Sequence, residues 1–181
     1  MRVLAVSGSE RSLDGLLALI KEGGIDAYAC SSGAEARRRV LDEEWDEVVI
    51  NYPLQDESGA ELARMIGEET GAVCIMLSRS ENAAALSSSG AIIVEKPIVK
   101  AVFFQALRLG LSIRHRLEIS EKRIRKLEGR IEEMRIESKA KCILARAKGL
   151  SEEEGHRYIE KMAMDRRITL RDAACSVIME E

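Results

Sequence analysis

Short apolar runs alternate with amphipathic segments through residues 1–112. Val3–Val6 reads as a buried strand, and Leu13–Lys21 carries apolar residues at helical spacing before Gly23-Gly24 stops it. Ala27–Cys30, Glu47–Asn51, Val73–Ser78 and Ile92–Glu95 read as four more strands. Ala34–Asp42, Ala60–Glu68 and Val99–Ser112 read as helices, and Glu81–Ser89 as a weak one, alanine-rich and then serine-rich. Five strands alternating with helices predict an α/β fold with a doubly wound, five-stranded parallel sheet.

The pattern changes at Ile113. Apolar residues then fall at Ile113, Leu117, Ile124, Leu127, Ile131 and Met134, with Ser120 in the vacant slot. This is a heptad seam, with 113, 120, 127 and 134 at d and 117, 124 and 131 at a. In a parallel homodimer, Arg116 faces the partner helix at the Glu121 position, and Arg123 faces it at the Glu128 position. Both are attractive. Arg130 opposite Arg135 is repulsive and marks where the clean seam ends. Exposed pairs contribute a few tenths of a kcal/mol each, so the buried seam must hold the dimer. A single helix packed on its own chain is the competing reading.

After Ser138 the pattern predicts three short helices. The first covers Ala140–Ala147 and stops at Gly149. Ser151-Glu-Glu-Glu154 has the form of a capping box, starting a helix to about Arg167, and Thr169-Leu-Arg-Asp172 starts the last one. So small a core leans on the coiled coil for stability. The expected divisions are 1–112, 113–138 and 139–181.

Charge adds an asymmetry. Residues 1–112 hold 11 Lys/Arg against 17 Asp/Glu, while 113–181 hold 17 against 14. Within 139–171 there are nine basic and five acidic residues. Only the second part is suited to a polyanion. Aromatic residues are 3% of the chain, which argues against rows of stacking aromatics on a sheet. Cys30, Cys74, Cys142 and Cys175 form no C-x-x-C pair, and there are two histidines. Buried reduced thiols are expected, with no metal and no cofactor. The opening MRVLAVSGSER is too short in apolar residues for a signal peptide, and no run approaches a membrane span, so a cytoplasmic location is expected.

Lys96-Pro97 after the fifth strand, Ser78 ending the fourth, and VVINYPLQDESGAEL at 48–62 resemble the receiver domain of response regulators, a flavodoxin-like fold, over residues 2 to about 110. A working receiver needs two carboxylates after the first strand to hold Mg²⁺ and a third, ending the third strand, to accept the phosphoryl group. Here Ser7-Gly8 stands at the acid pair and Asn51 at the acceptor. An amide forms no acyl phosphate. Ser78 and Lys96 match the remaining two positions, and Ile93 stands at the aromatic switch. The expectation is a pseudo-receiver that takes no phosphate, its pocket kept as a hydrogen-bonded structural pair of Asn51 and Lys96. Asp56, five residues on, is the alternative acceptor.

The segment 139–178 resembles the ANTAR domain, the RNA-binding unit of bacterial transcription antiterminators. The match is carried by Ala140, Lys141, Gly149, Ser151-Glu152, Tyr158, Ala163-Met164, Arg166-Arg167, Leu170, Asp172 and Ala173-Ala174. Two residues depart from it. Gly155 replaces a usual alanine inside a helix, at a cost of about 1 kcal/mol if exposed, and His156, a surface residue, replaces an aromatic. The resemblance implies a homodimer that binds tandem hairpins of a leader transcript and disfavours a terminator. Lys141, Lys148, Arg157, Lys161, Arg166, Arg167 and Arg171 would meet phosphates. Tyr158 would stack on a base or sit at the core edge, and Met164 would belong to the core in preference to a contact with the RNA. Two domains holding two loops gain effective concentration. With phosphorylation lost, control falls to a sequestering or signalling protein. No enzyme is expected, since no cluster of His, Cys, Asp or Glu has catalytic spacing. Rival readings are a dimeric protein-interaction scaffold and a DNA-binding regulator.

Overall fold

A computed structural model describes residues 1–180. The chain divides into two compact units, Met1–Ile119 and the residues from Ser120 on. In the first unit, β1 (Arg2–Val6), α1 (Glu10–Glu22), β2 (Asp26–Cys30), α2 (Gly33–Asp42), β3 (Glu47–Asn51), α3 (Gly59–Glu69), β4 (Val73–Ser78), α4 (Ser80–Leu86) and β5 (Ile92–Glu95) follow in order. The sheet runs β2-β1-β3-β4-β5 and every pairing is parallel. The predicted α/β class with a five-stranded parallel sheet is therefore observed.

Strand alternation places the cores. Leu4, Val6, Val48, Ile50, Cys74 and Met76 face one side, where Val40, Leu62 and Ile66 cover them. Val3, Ala5, Val49, Ile75 and Leu77 face the other, under Leu13, Leu16, Ile20, Phe103 and Leu107. A parallel sheet covered on both faces needs this near-continuous apolar sequence in its strands. Helix starts are fixed by side chains. The Ser32 and Ser58 hydroxyls accept from the Glu35 and Glu61 N–H groups at 3.1 and 3.4 Å. The weak segment after β4 is a short α4, followed by a 3₁₀ turn over Ser87–Ser89.

One buried group breaks the pattern. Glu47, on β3, is 0% exposed, and neither carboxyl oxygen has a hydrogen-bond partner among the described residues. It reaches beneath Gly110, where a Cβ would collide with its Oε1. Burial first, and the neighbouring Asp46 second, push its carboxyl up to about 8.

Three predicted segments become one. The helix at 99–112, the heptad stretch and the first short C-terminal helix are continuous as α5, Lys100–Lys148. The unit boundary falls inside it. No residue in that span has the breaking power of proline, and Gly149, with φ +65°, ends it.

The second unit adds α6 (Glu152–Arg166) and α7 (Leu170–Met179). Its core is Ala140, Leu144, Ile159, Ala163, Ala173, Ala174 and Val177. The capping box at Ser151 forms as expected: Glu154 N–H donates to the serine at 3.3 Å, and Ser151 N–H donates to Glu154 at 2.9 Å. Asp172 N–H likewise donates to Thr169 Oγ1 at 3.1 Å.

The thiols divide. Cys30 and Cys74 are buried and pushed up to about 11 and about 12 by desolvation, but Cys142 is exposed and Cys175 partly so. The expectation of four buried thiols is corrected on these two. No described helix is long and apolar enough to cross a membrane.

Candidate functional site

Three sets of residues were candidates. The pocket at the C-terminal ends of β1, β3, β4 and β5 is closed by its own side chains. Asn51 Nδ2 donates to Ser7 Oγ at 3.0 Å, and Ser7 is buried. Lys96 Nζ donates to the Tyr52 carbonyl at 2.7 Å, and burial first, then Arg79, lowers its pKa. Ser78 is buried and donates to the Arg79 carbonyl at 3.1 Å. Gln55 lies over Gly8, its Cγ 3.2 Å from where a Cβ would stand. The expected Asn51–Lys96 pair is thus corrected. Each is held, but by Ser7 and by the Tyr52 carbonyl, because these partners lie within direct reach.

A receiver's Mg²⁺ does not fit these residues: a hard cation needs anionic oxygens, and Ser7, Gly8 and Asn51 offer none. Asp56 does not stand in. Its two oxygens accept from the N–H groups of Ala34 and Gly33 at 2.9 and 3.1 Å, and those bonds hold its carboxyl below the usual range. It serves the start of α2, where the helix dipole favours an anion.

The seam residues Ile113, Leu117, Ile124, Leu127, Ile131 and Met134 are all exposed along α5. Arg116, Arg123 and Glu128 enter no ion pair among the described residues, while Glu121 is shared with Arg125 at 3.4 Å. Leu127, Ile131 and Met134 also floor a groove of about 820 Å³ walled by Thr169–Asp172, where Arg171 lies.

The cations of the second unit fall into two groups. Lys141 is committed to the fold: it pairs with Glu152 at 3.0 Å and Glu137 at 3.5 Å, and the Glu152 bond raises its pKa. Lys148 is held by Tyr158, donating to its hydroxyl at 2.7 Å with Nζ 4.0 Å from the ring centroid. Tyr158 is half-buried against the core, so both of its expected roles remain open to it. Arg157, Lys161, Arg166, Arg167 and Arg171 are exposed. Arg157 is 3.8 Å from Glu153 and Arg166 is 3.7 Å from Glu180, both exposed contacts of little strength.

Arg167 is in the left-handed region, with φ 52° and ψ 43°. It closes α6 in a Schellman turn: Ile168 N–H donates to the Ala163 carbonyl at 3.0 Å, and Arg167 N–H to the Met164 carbonyl at 3.3 Å. Glycine would take that conformation freely, while a residue with a Cβ is disfavoured by about 1–2 kcal/mol.

Comparison with known proteins decides what this second unit is. Residues 125–178 match the family model described as "ANTAR domain". The last third of this chain is an ANTAR domain. The match begins inside the heptad stretch, so the ANTAR domain takes in the C-terminal half of α5 as its first helix.

No curated protein matches the chain. Among solved structures, a response regulator receiver domain protein from Clostridium thermocellum is 20% identical. It covers 64% of this chain and 98% of its own, with a TM-score of 0.59. The response regulator TrrA from Thermotoga maritima, in complex with Mg²⁺ and BeF, is 23% identical, covering 61% and 98%, with a TM-score of 0.56. A protein titled adenylate cyclase from Rhodopirellula baltica is 17% identical, covering 69% and 97%, with a TM-score of 0.62. At these identities the likeness establishes the fold alone: a receiver fold precedes the ANTAR domain.

One expectation within the ANTAR domain is corrected, and two departures from the family pattern are placed. Met164 is 78% exposed and is no part of the core. The buried face of α6 is Gly155, Ile159 and Ala163, and Met164 stands one residue, about 100°, off it. Gly155 is buried, so the cost of an exposed glycine does not arise. A Cβ there would be 3.5 Å from Lys141 Cγ, ordinary contact, so the usual alanine would also fit. His156 is at the surface, as expected, and is held there: Nδ1 lies 2.7 Å from Glu137 and Nε2 3.2 Å from Glu160. Periodicity carried the signal for Met164 and Gly155, and helical spacing for His156 with Glu160; the contact with Glu137 joins two different helices and had none.

Proposed function

We propose that this chain is a bacterial transcription antiterminator. As a parallel homodimer joined along α5, it binds tandem hairpins of a leader transcript through its ANTAR domains. It acts without phosphorylation of the receiver-like unit, is no enzyme, and works in the cytoplasm. The observation that carries this is the ANTAR match over 125–178, combined with five exposed Arg/Lys side chains on α6, at the α6–α7 turn and on α7. Polyanion binding needs such free cations, whose contribution appears as salt dependence. Control by a masking protein is consistent with a receiver fold whose Mg²⁺ and acceptor positions lack carboxylates.

The test is salt-dependent binding of the full chain to a two-hairpin leader RNA and to duplex DNA of equal length. Selective RNA binding, lost in Arg166→Ala plus Arg167→Ala, is expected. Equal binding to both would make this a general nucleic-acid binder. Binding to neither would leave a dimeric scaffold.

A further inference from the structure

Two methionines lie two residues apart on α6 and are treated differently. Met162 is half-buried against the core of Ile159 and Ala163. Met164 turns away and leaves an unbranched thioether chain in water. Its exposure is not explained by the seam, whose residues all lie on α5.

Helical spacing puts Arg157, Lys161 and Met164 at i, i+4 and i+7 on one exposed face of α6. Arg167 follows at the end of the same helix, in a backbone conformation that favours glycine. An arginine in a strained conformation and an apolar side chain in water are two independent departures from what folding favours, three residues apart. Both stand in the segment richest in positive charge, where nine basic residues outnumber five acidic ones between 139 and 171.

An apolar, polarizable platform between cations fits one kind of ligand: an unpaired base with its flanking phosphates. A duplex hides its base faces, but a hairpin loop presents a base face and backbone charge together. Methionine sulfur makes favourable contact with aromatic rings and adapts to their shape. We propose that the α6–α7 corner grips a loop nucleotide of the RNA, with Met164 against the base face and Lys161 and Arg167 on the phosphates either side. This rests on the RNA-binding reading above and adds to it the residue that discriminates a loop from a stem.

The probe is a tandem-hairpin RNA recovered by the wild-type chain from a pool with randomised loops. Its binding is measured from 50 to 300 mM salt. Met164→Ala is expected to weaken binding about tenfold with the salt slope and melting temperature unchanged, because it removes contact area and no charge. Lys161→Ala is expected to reduce the slope by about one. Arg167→Gly is expected to raise the melting temperature by a few degrees while weakening binding. Met179→Ala, exposed on the last turn of α7, serves as the control and should bind as wild type. If Met164→Ala binds the selected RNA as well as the wild type does, or if Arg167→Gly gains stability with no loss of affinity, the corner is not the grip. If the wild type selects no RNA at all, the function proposed above falls first, and this inference with it.

Discussion

At the pocket on the C-terminal ends of β1, β3, β4 and β5, polar groups are answered from within the chain. Asn51 donates to Ser7, Lys96 to the Tyr52 carbonyl, and Ser78 to the Arg79 carbonyl. At the α6–α7 corner the reverse holds. Lys161 enters no ion pair among the described residues, Met164 packs on no core cluster, and Arg167 holds a conformation glycine would take more easily. A polar group satisfied inside a fold contributes to structure and has little left for a ligand. Groups left in water, at a cost to the fold, are the ones available for binding. The first region is therefore architecture, and the second is where the recognition proposed above has groups left free to act.

The sharpest way to strain the comparison is Glu47, which lies on the same strand as Asn51 yet whose carboxyl oxygens have no hydrogen-bond partner among the described residues. Its carboxyl is raised from 4.5 to about 8 in the folded chain. The folded state therefore binds the proton more tightly than the unfolded state does. Stability linked to this group is fully present below pH 4.5 and is lost as pH rises toward 8. The window corresponds to about 5 kcal/mol. Glu47→Leu should remove the titration and fill the space beneath Gly110 with an apolar group. The melting-temperature difference, variant minus wild type, should grow steadily between pH 5 and pH 8. A difference independent of pH would mean that Glu47 titrates normally and that its burial is matched by a partner.

A second test concerns the exposed seam face of α5, where apolar groups are likewise left in water. In a parallel dimer Leu127 is buried in both copies, each burial stabilising by about 1.5–3 kcal/mol. Leu127→Asp should therefore weaken self-association by at least about 100-fold. Leu127 is exposed in the single chain, so the variant should melt as a folded monomer does. Sedimentation equilibrium reads the outcome. A variant of unchanged weight would show that the seam is not where copies meet.

How much of this was legible beforehand follows from the range of each interaction. Strand runs such as VCIMLS, the capping box at Ser151 and the loss of the acceptor carboxylate at Asn51 are local, and each can be read within a few residues. The joining of α5 into one helix is also local in origin, yet Ser112, Ser138 and the change of pattern between them suggested breaks that helical geometry does not require. Contacts between separate elements had no signal: Glu47 beneath Gly110, Asp56 on the start of α2, and Glu137 against His156. EVVIN reads as a buried strand, and only the packing of α5 shows that its glutamate is buried too. Met164 was the avoidable miss, since Gly155, Ile159 and Ala163 already define the inner face by their spacing.

The smallest expected effect probes the pocket itself. Asn51→Asp restores a carboxylate at the end of β3, where a receiver accepts its phosphoryl group. If the single amide were all that closed the site, incubation with acetyl phosphate and Mg²⁺ would yield a phosphoryl adduct by intact mass. None is expected. The cation that neutralises the incoming phosphate needs the acid pair after β1, and Ser7 and Gly8 supply no charge there. Gln55 also lies over Gly8. The substitution exchanges one partner of the Ser7 hydroxyl for another, an oxygen that can accept from it, so stability should move by no more than about 1 kcal/mol. A stoichiometric adduct would show that the receiver fold still holds its chemistry in reserve, one residue away, and the contrast between a closed pocket and an open corner would then fail at its first half.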